Sequence, residues 1–446
     1  MGPGLAAAGR LCAVALASAA LSWPGMVTAQ ARPETVVDYT MRPGDTLSKL
    51  GETWFRRPGD YLRVQRFNRV VRDRRIPVGR VIRIPVDVLR TEPAEGRVAN
   101  FRGMVTVGWR GPPATPAVGD PVGEGAVIVT GPNAFVRIGL PDGGFVSLPS
   151  NSRVRVERLR TVLLTGATDQ SFRIEAGRTE TRAAPVRPGG GFEVITPVSV
   201  AAVRGTEFRS AWFPDTASAA TSVVEGAVAV GSGVGEAIAE AGEGIAVARG
   251  TVRVLPLLPP AELADGDLTQ IRETVAFDPA DVAGAAHSRA RLAADAGMID
   301  VFAEQDSGPD GVVRFEAVPD GDYFVRVLPV SPEGLEGTAA TYAFLRARVG
   351  VGGLATSSTG RGRDRAFLFR WEAEGAGPAE YRFQFRAGDE GEERPPLFDL
   401  AGLSEPRISL TGLAPGVYEW RVRITRHIAG RRVDVWSEPQ QLRIGR

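Results

Sequence analysis

The segment Thr196-Pro197-Val198-Ser199-Val200-Ala201-Ala202-Val203-Arg204-Gly205-Thr206-Glu207-Phe208 decides how the chain folds. An apolar run from Val198 to Val203 meets Arg204-Gly205-Thr206 and restarts at Phe208, the pattern of a buried strand, a forced turn and a second strand. Pro197 has no N–H for a ladder and fits only the start of such a strand. Gly205 admits a positive φ that Arg204 or Thr206 would hold only with strain. From residue types alone this is a bulge or tight turn in a β-sandwich. Arg204, flanked by Glu207 and Arg209, either pairs within the fold or is free to hold a carboxylate or phosphate bidentately.

Short strand-like runs surround this segment: Met104 to Trp109, Ala126 to Thr130, Ala134 to Leu140, Phe145 to Leu148, Val154 to Leu159, Phe172 to Glu175, Phe192 to Ile195 and Thr221 to Val230. Gly, Pro or Asp-Gly turns separate them, and none holds a helical period, so an antiparallel roll or sandwich over 96–254 follows. The segment resembles the T-P-x-x-x-A-x-V-R-G-T-x-F signature of FecR-type domains. Gly119-Asp120, Thr130-Gly131, Asp142-Gly143, Glu175-Ala176-Gly177 and Glu225-Gly226-x-Val228 extend the likeness from Arg97 to Gly235. The resemblance implies a bacterial periplasmic domain, in its best-known setting part of iron-uptake signalling. Thr196, Pro197, Arg204, Gly205, Thr206 and Phe208 are then a structural signature that also offers a partner contact.

The rest of the chain reads as further modules. A length of 446 residues suggests roughly three or four domains, and Gly 54 and Pro 33 scattered among short apolar runs favour a mainly β, multidomain protein. Residues 1–31 read as a signal peptide: Arg10, an apolar run from Leu11 to Leu21, a Pro24-Gly25 break and Ala29-Gln30-Ala31. An uncleaved anchor is the competing interpretation, but the run is short of the about 20 apolar residues a spanning helix needs. Cleavage removes Cys12, the sole cysteine, and with it any disulfide, thiolate metal site or cysteine nucleophile. No later stretch is apolar enough to span a bilayer, so the mature protein is expected in the periplasm or exported envelope.

Between Val37 and Pro85 a strand, two short helical patterns and a second strand predict a βααβ unit over 36–87, with Leu50, Trp54, Phe67 and Ile84 as its core. Tyr39-x-Met41-x-x-Gly44-Asp45-Thr46-Leu47, then Asn68, then Ile76-Pro77-x-Gly79-x-x-Ile82-x-Ile84-Pro85 resemble a LysM domain, despite Gly51 where alanine is common. That likeness implies binding of peptidoglycan or another N-acetylglucosamine-containing glycan between two loops, Gly44, Asp45, Thr46, Leu47 and Ser48 on one side and Ile76, Pro77, Val78 and Gly79 on the other. Asp45 and Thr46 have a second explanation as helix caps. Thirteen basic against six acidic residues between Val36 and Arg90 mark either a solvated face or an anion-attracting one. A Glu92-Pro93-Ala94-Glu95-Gly96 hinge is expected next.

Beyond the Pro-rich Leu257-Leu258-Pro259-Pro260, two related β segments follow. Gly321-Asp322-Tyr323-Phe324-Val325 and Gly416-Val417-Tyr418-Glu419-Trp420 share a turn, a glycine, an aromatic and an alternating strand. The second, with Trp371, resembles fibronectin type III-like and Ig-like sandwiches. Two such sandwiches are expected over 262–349 and 360–446, with Trp371 and Trp420 in the core.

Chemistry is sparse. The net charge is +1, which gives no field for nucleic acid. His287 and His427 stand 140 positions apart, so no metal site, cofactor or His-based triad is implied. The favoured function is a non-catalytic envelope protein that binds peptidoglycan through the LysM-like module and presents its β domains as scaffold or to an envelope protein partner. The alternatives are a periplasmic sensor or signalling subunit of FecR type and a peptidoglycan-modifying enzyme with two carboxylates.

Overall fold

A computed structural model describes residues 36–203, 205–264, 268–361, 365–388 and 395–445. The expected signal peptide and Arg204 lie outside them. The architecture is mainly β and multidomain, with two short helices near its N-terminal end.

Strand Val36–Thr40 pairs antiparallel with Val81–Pro85, and helices Leu47–Trp54 and Tyr61–Phe67 lie between them in the chain. Met41, Leu47, Leu50, Phe55, Val64, Ile82 and Ile84 form the core of this unit. The sequence expectation placed Phe67 there. Instead Phe67 is exposed beneath the Arg83 guanidinium, 5.4 Å from its ring, and Phe55, just past the first helix, is fully buried. Phe55 turns inward because it bridges to Leu89, which brings the chain's exit back across the helix end. Gly51 sits where the helices meet: a Cβ there would lie 2.5 Å from the Pro58 carbonyl oxygen. Gly51→Ala should therefore lower stability by about 1–2 kcal/mol in urea unfolding, although alanine is the better helix former. A gain in stability would show that the helices can part at no cost.

The predicted hinge is a strand. Thr91–Pro93 pairs with 160–162, and Glu95–Arg102 continues into the next domain. Val162 and Leu164, at the tip of the hairpin formed by Arg153–Val162 and Ala167–Arg182, pack into the core of the N-terminal unit. The link is thus fixed by ladder bonds and burial.

Two sheets face each other over the apolar core of the central domain. One runs Val105–Gly108, Val127–Thr130, Arg153–Val162, the first part of Ala167–Arg182, Gly191–Ile195, Ser199–Val203, Ala227–Ser232 and Gly235–Glu240. The other runs Pro121–Gly123, Glu95–Arg102, Phe135–Gly139, Phe145–Leu148, the last part of Ala167–Arg182, Glu207–Phe213, Ser218–Glu225, Glu243–Ala248 and Thr251–Pro256. The expected antiparallel pattern holds except where Gly191–Ile195 runs parallel to 169–173.

The C-terminal third holds two more β units. In the first, Thr269–Gln270, Ala340–Arg346, Gly321–Val330, His287–Ala293 and Val301–Asp306 form one sheet, with Val275–Phe277 and Val313–Phe315 paired beside it. In the second, Gly350–Thr359, Ala366–Glu374 and Arg407–Thr411 oppose a sheet built on Gly416–Ile428. Trp371 and Trp420 are buried in its core, as alternation implied. The Tyr418 hydroxyl donates to the Ala414 carbonyl at 2.8 Å, a tie characteristic of Ig-like sandwiches.

Candidate functional site

The opening signature is built into the fold. Thr196 and Ser199 close a hairpin between Gly191–Ile195 and Ser199–Val203: the Ser199 N–H donates to Thr196 Oγ1 at 3.0 Å, and the Thr196 N–H to the Ser199 carbonyl at 2.8 Å. Pro197 therefore stands in the turn, and the strand begins at Ser199. Its residues alternate, with Ala201 and Val203 inward and Val200 and Ala202 outward, so only one face of the expected buried run is covered. At Gly205, φ +65, the chain leaves one sheet and enters the other. Its partner strand makes the same crossing at Gly226, where a Cβ would lie 2.5 Å from Thr206 Cγ2. Gly177 is the corner of the long strand Ala167–Arg182. These glycines bend paired strands around the core, which is why they recur in the Glu-Ala-Gly, Arg-Gly-Thr and Glu-Gly motifs. Thr196, Thr206 and Phe208 are buried, their side chains packed into the fold. Arg204 is outside the described residues.

Each of the two N-terminal loops is tied to residues that border the other. The Gly79 N–H donates to the Met41 carbonyl at 2.9 Å, and Ser48 Oγ donates to Asp73 at 3.0 Å, tying the first loop to the segment before the second. Thr46 caps the first helix by accepting the Lys49 N–H at 3.2 Å. The Asp45 carboxylate accepts the Tyr39 hydroxyl at 2.8 Å and the Arg42 N–H at 2.7 Å, holding the loop in a turn. Burial, then this bond to Asp45, raises the Tyr39 pKa. Gly44 and Gly79 both take positive φ with open space around them, and Val78 is exposed. Leu47 is wholly buried, so any contact it makes is through its backbone. Asn68 is a clamp, bonding Val64 and both backbone groups of Arg83.

A polar cluster that sequence reasoning missed joins the central domain to the first C-terminal unit. Arg178, Glu180 and Arg209 of the central domain meet Arg289, Arg291, Glu304 and Glu336. Arg178 donates to Glu304 and, at 2.7 Å, to Glu336. Arg291 donates to Glu304 at 2.7 Å, to Glu180 at 3.0 Å and to Glu336 at 3.2 Å. Arg289 reaches Glu336 at 2.9 Å, and Arg209 donates to the Gly337 carbonyl at 3.1 Å. Burial pushes the Glu336 carboxyl up, but Arg291, Arg178, Arg289 and Arg209 outweigh it and hold the group well below its ordinary value. Glu304 and Glu180 are lowered by the same contest between burial and neighbouring guanidiniums. Carboxylates held ionised cannot give up a proton, so this cluster is unsuited to a general acid. It is an interlock. Around it, Arg102 pairs with Asp300 at 2.8 Å, Asn100 donates to the Ile299 carbonyl at 3.0 Å, and Leu335 packs with Ala211 and Ala220.

His287 and His427 lie on strands of different units. Among the described residues, no group of three His, Cys, Asp or Glu is placed to hold a metal, and no helix is long and apolar enough to cross a membrane.

Residues 126–229 match the family model described as FecR protein. No curated protein matches the chain. Among solved structures, the chain is similar to a putative anti-sigma factor from Parabacteroides distasonis at 20% identity and TM-score 0.26, over 29% of this chain and 59% of that one. It is also similar to the FN1-FN3 domains of chicken CNTN1, at 10% identity and TM-score 0.22 over 56% of this chain and 95% of that one. Fibronectin(III)-like modules of Clostridium thermocellum CbhA match at 11% identity and TM-score 0.21, over 41% of this chain and 90% of that one. TM-scores this low establish no shared overall fold.

Proposed function

We propose that this chain is a non-catalytic FecR-type regulatory protein of the cell envelope, which passes a signal through protein contacts while its N-terminal module, of LysM type, holds it on peptidoglycan. The FecR match over 126–229 carries the regulatory part. Two features of the domain agree with it: Thr196, Thr206 and Phe208 of its signature are buried in the fold, and its largely covered Glu180 carboxylate is held ionised by neighbouring arginines. What the domain has left to offer is surface, which suits recognition better than catalysis.

Attachment to glycan is supported by the bonds that tie each loop to the border of the other and by the exposed arginines of the same unit, among them Arg56, Arg57, Arg66, Arg69, Arg72, Arg74 and Arg75. Wall polymers and stem-peptide carboxylates are the anions such a face would meet in an exported compartment.

The test is affinity capture from envelope extracts, run beside sedimentation with purified sacculi. Recovery of a sigma-regulating membrane protein or a transporter is the expected result. The chain should also sediment with sacculi at low salt and partly release as salt rises, since exposed charges are screened. Recovery of wall material alone would defeat the regulatory part, and no sedimentation at low salt would defeat the attachment. Deleting the module is a poor control, because Val162 and Leu164 would lose their cover.

A further inference from the structure

A cleft of about 680 Å³ opens between the N-terminal unit and the central domain. Asp38, Tyr39, Thr40 and Arg42 line it from the first strand and the loop after it, Lys49, Thr53 and Trp54 from the first helix, and Leu164 and Thr165 from the hairpin tip of the central domain. It is not the groove between the two loops discussed above, since neither Val78 nor Gly79 reaches it and part of its wall belongs to another domain.

The lining groups divide into committed and uncommitted ones. Asp45 is taken up by Tyr39 and the Arg42 N–H, and Lys49 Nζ donates to the Gly44 carbonyl at 3.0 Å. The Arg42 guanidinium is exposed 6.0 Å from the Tyr39 ring centre and makes no ion pair among the described residues. Asp38, also exposed, makes none either. Trp54, partly buried, and Thr40 also line the cleft, while the Thr53 hydroxyl donates to the Lys49 carbonyl at 3.1 Å and Thr165 Oγ1 accepts the Ala167 N–H at 3.2 Å.

We infer that this cleft is a second saccharide subsite, selective for a sugar that carries a carboxylate. The inference rests on the glycan attachment proposed above and names the chemistry of one further ring. An indole face accepts the apolar face of a sugar ring, a free carboxylate accepts from sugar hydroxyls, and a free guanidinium matches a carboxylate in charge and fork geometry. The volume lies in the range of ligand sites, and the polar lining disfavours an apolar guest. The composite wall gives the subsite its role: a ring bound there touches both the anchoring unit and the central domain, so contact with a glycan strand whose muramic carboxylate is free of its stem peptide is felt directly by the domain proposed to signal.

Isothermal titration of the full mature chain with two probes tests this. The disaccharide of N-acetylglucosamine and N-acetylmuramic acid should bind about tenfold more tightly than neutral di-N-acetylglucosamine, the worth of one charge-assisted pair. Arg42→Gln should bring the ratio of the two affinities close to one. Thr165→Trp, which fills the cleft from the central domain, should do the same, with thermal unfolding confirming that both variants are folded. If the wild type binds neither probe, the glycan attachment itself falls, and this inference with it. If it binds both equally, or if both folded variants keep the acidic preference, the attachment stands and the subsite is overturned.

Discussion

Glu336→Gln is expected to lower the chain's stability by about 3–5 kcal/mol, the usual consequence of removing one partner from a buried ion pair. Glu336 is almost wholly buried, and the guanidiniums of Arg178, Arg289 and Arg291 all donate to it. Glutamine keeps the shape but deletes the charge, leaving Arg178, Arg209, Arg289 and Arg291 with less counter-charge in a site water does not reach. Its amide also turns one acceptor oxygen into a donor that faces these donors. The loss falls on the contact between two domains, so urea unfolding should separate into two transitions, the first reporting the junction. As a control, Asp399→Asn, which breaks a partly exposed pair with Arg382, should leave the midpoint where it was. An unchanged midpoint for Glu336→Gln would mean that the domains are held by the connector and apolar contacts alone.

The same cluster shows where sequence reasoning stops. Alternating strands and turn residues were legible, because period-two patterns and glycine corners are local facts. The Trp420 core and the Thr46 cap follow from spacing within a few residues. The interlock is different: Arg178 and Glu336 meet across 158 positions, and each alone looks like one more surface charge. A faint signal existed in Arg178 with Glu180 and in Arg289 with Arg291, charges two apart on strands and therefore on one face. The hinge at Glu92–Gly96 failed for a related reason. Pro and Gly there suggested a break, but the pairing of Thr91–Pro93 with 160–162 depends on a distant strand. Phe55 and Phe67 traded places because helix spacing says which face is apolar, while the chain's exit along Leu89 decides which ring is covered.

Acid should open the junction, and the direction follows from the carboxyl groups. In the folded chain Glu180, Glu304 and Glu336 all titrate below their ordinary value, because the surrounding guanidiniums outweigh burial. In the unfolded chain they titrate near 4.3, a typical glutamate value. As pH falls through about 4.3 the unfolded chain takes up protons that the folded chain refuses, so stability that is full at neutral pH is lost progressively below that point, down to the depressed folded values. With each group worth about 1.4 kcal/mol per pH unit, the steepest part of the curve approaches about 4 kcal/mol per unit. Alkali should have little effect on the junction, because the Arg289 and Arg291 guanidiniums are held charged beyond their already high ordinary values: burial lowers them, and the acidic neighbours more than compensate. Urea midpoints measured from pH 7 to pH 3 will show this, and Glu336→Gln should flatten the acid slope by about one proton's share. If the variant keeps the wild-type slope, the acid sensitivity arises elsewhere and the cluster is not what joins the two domains.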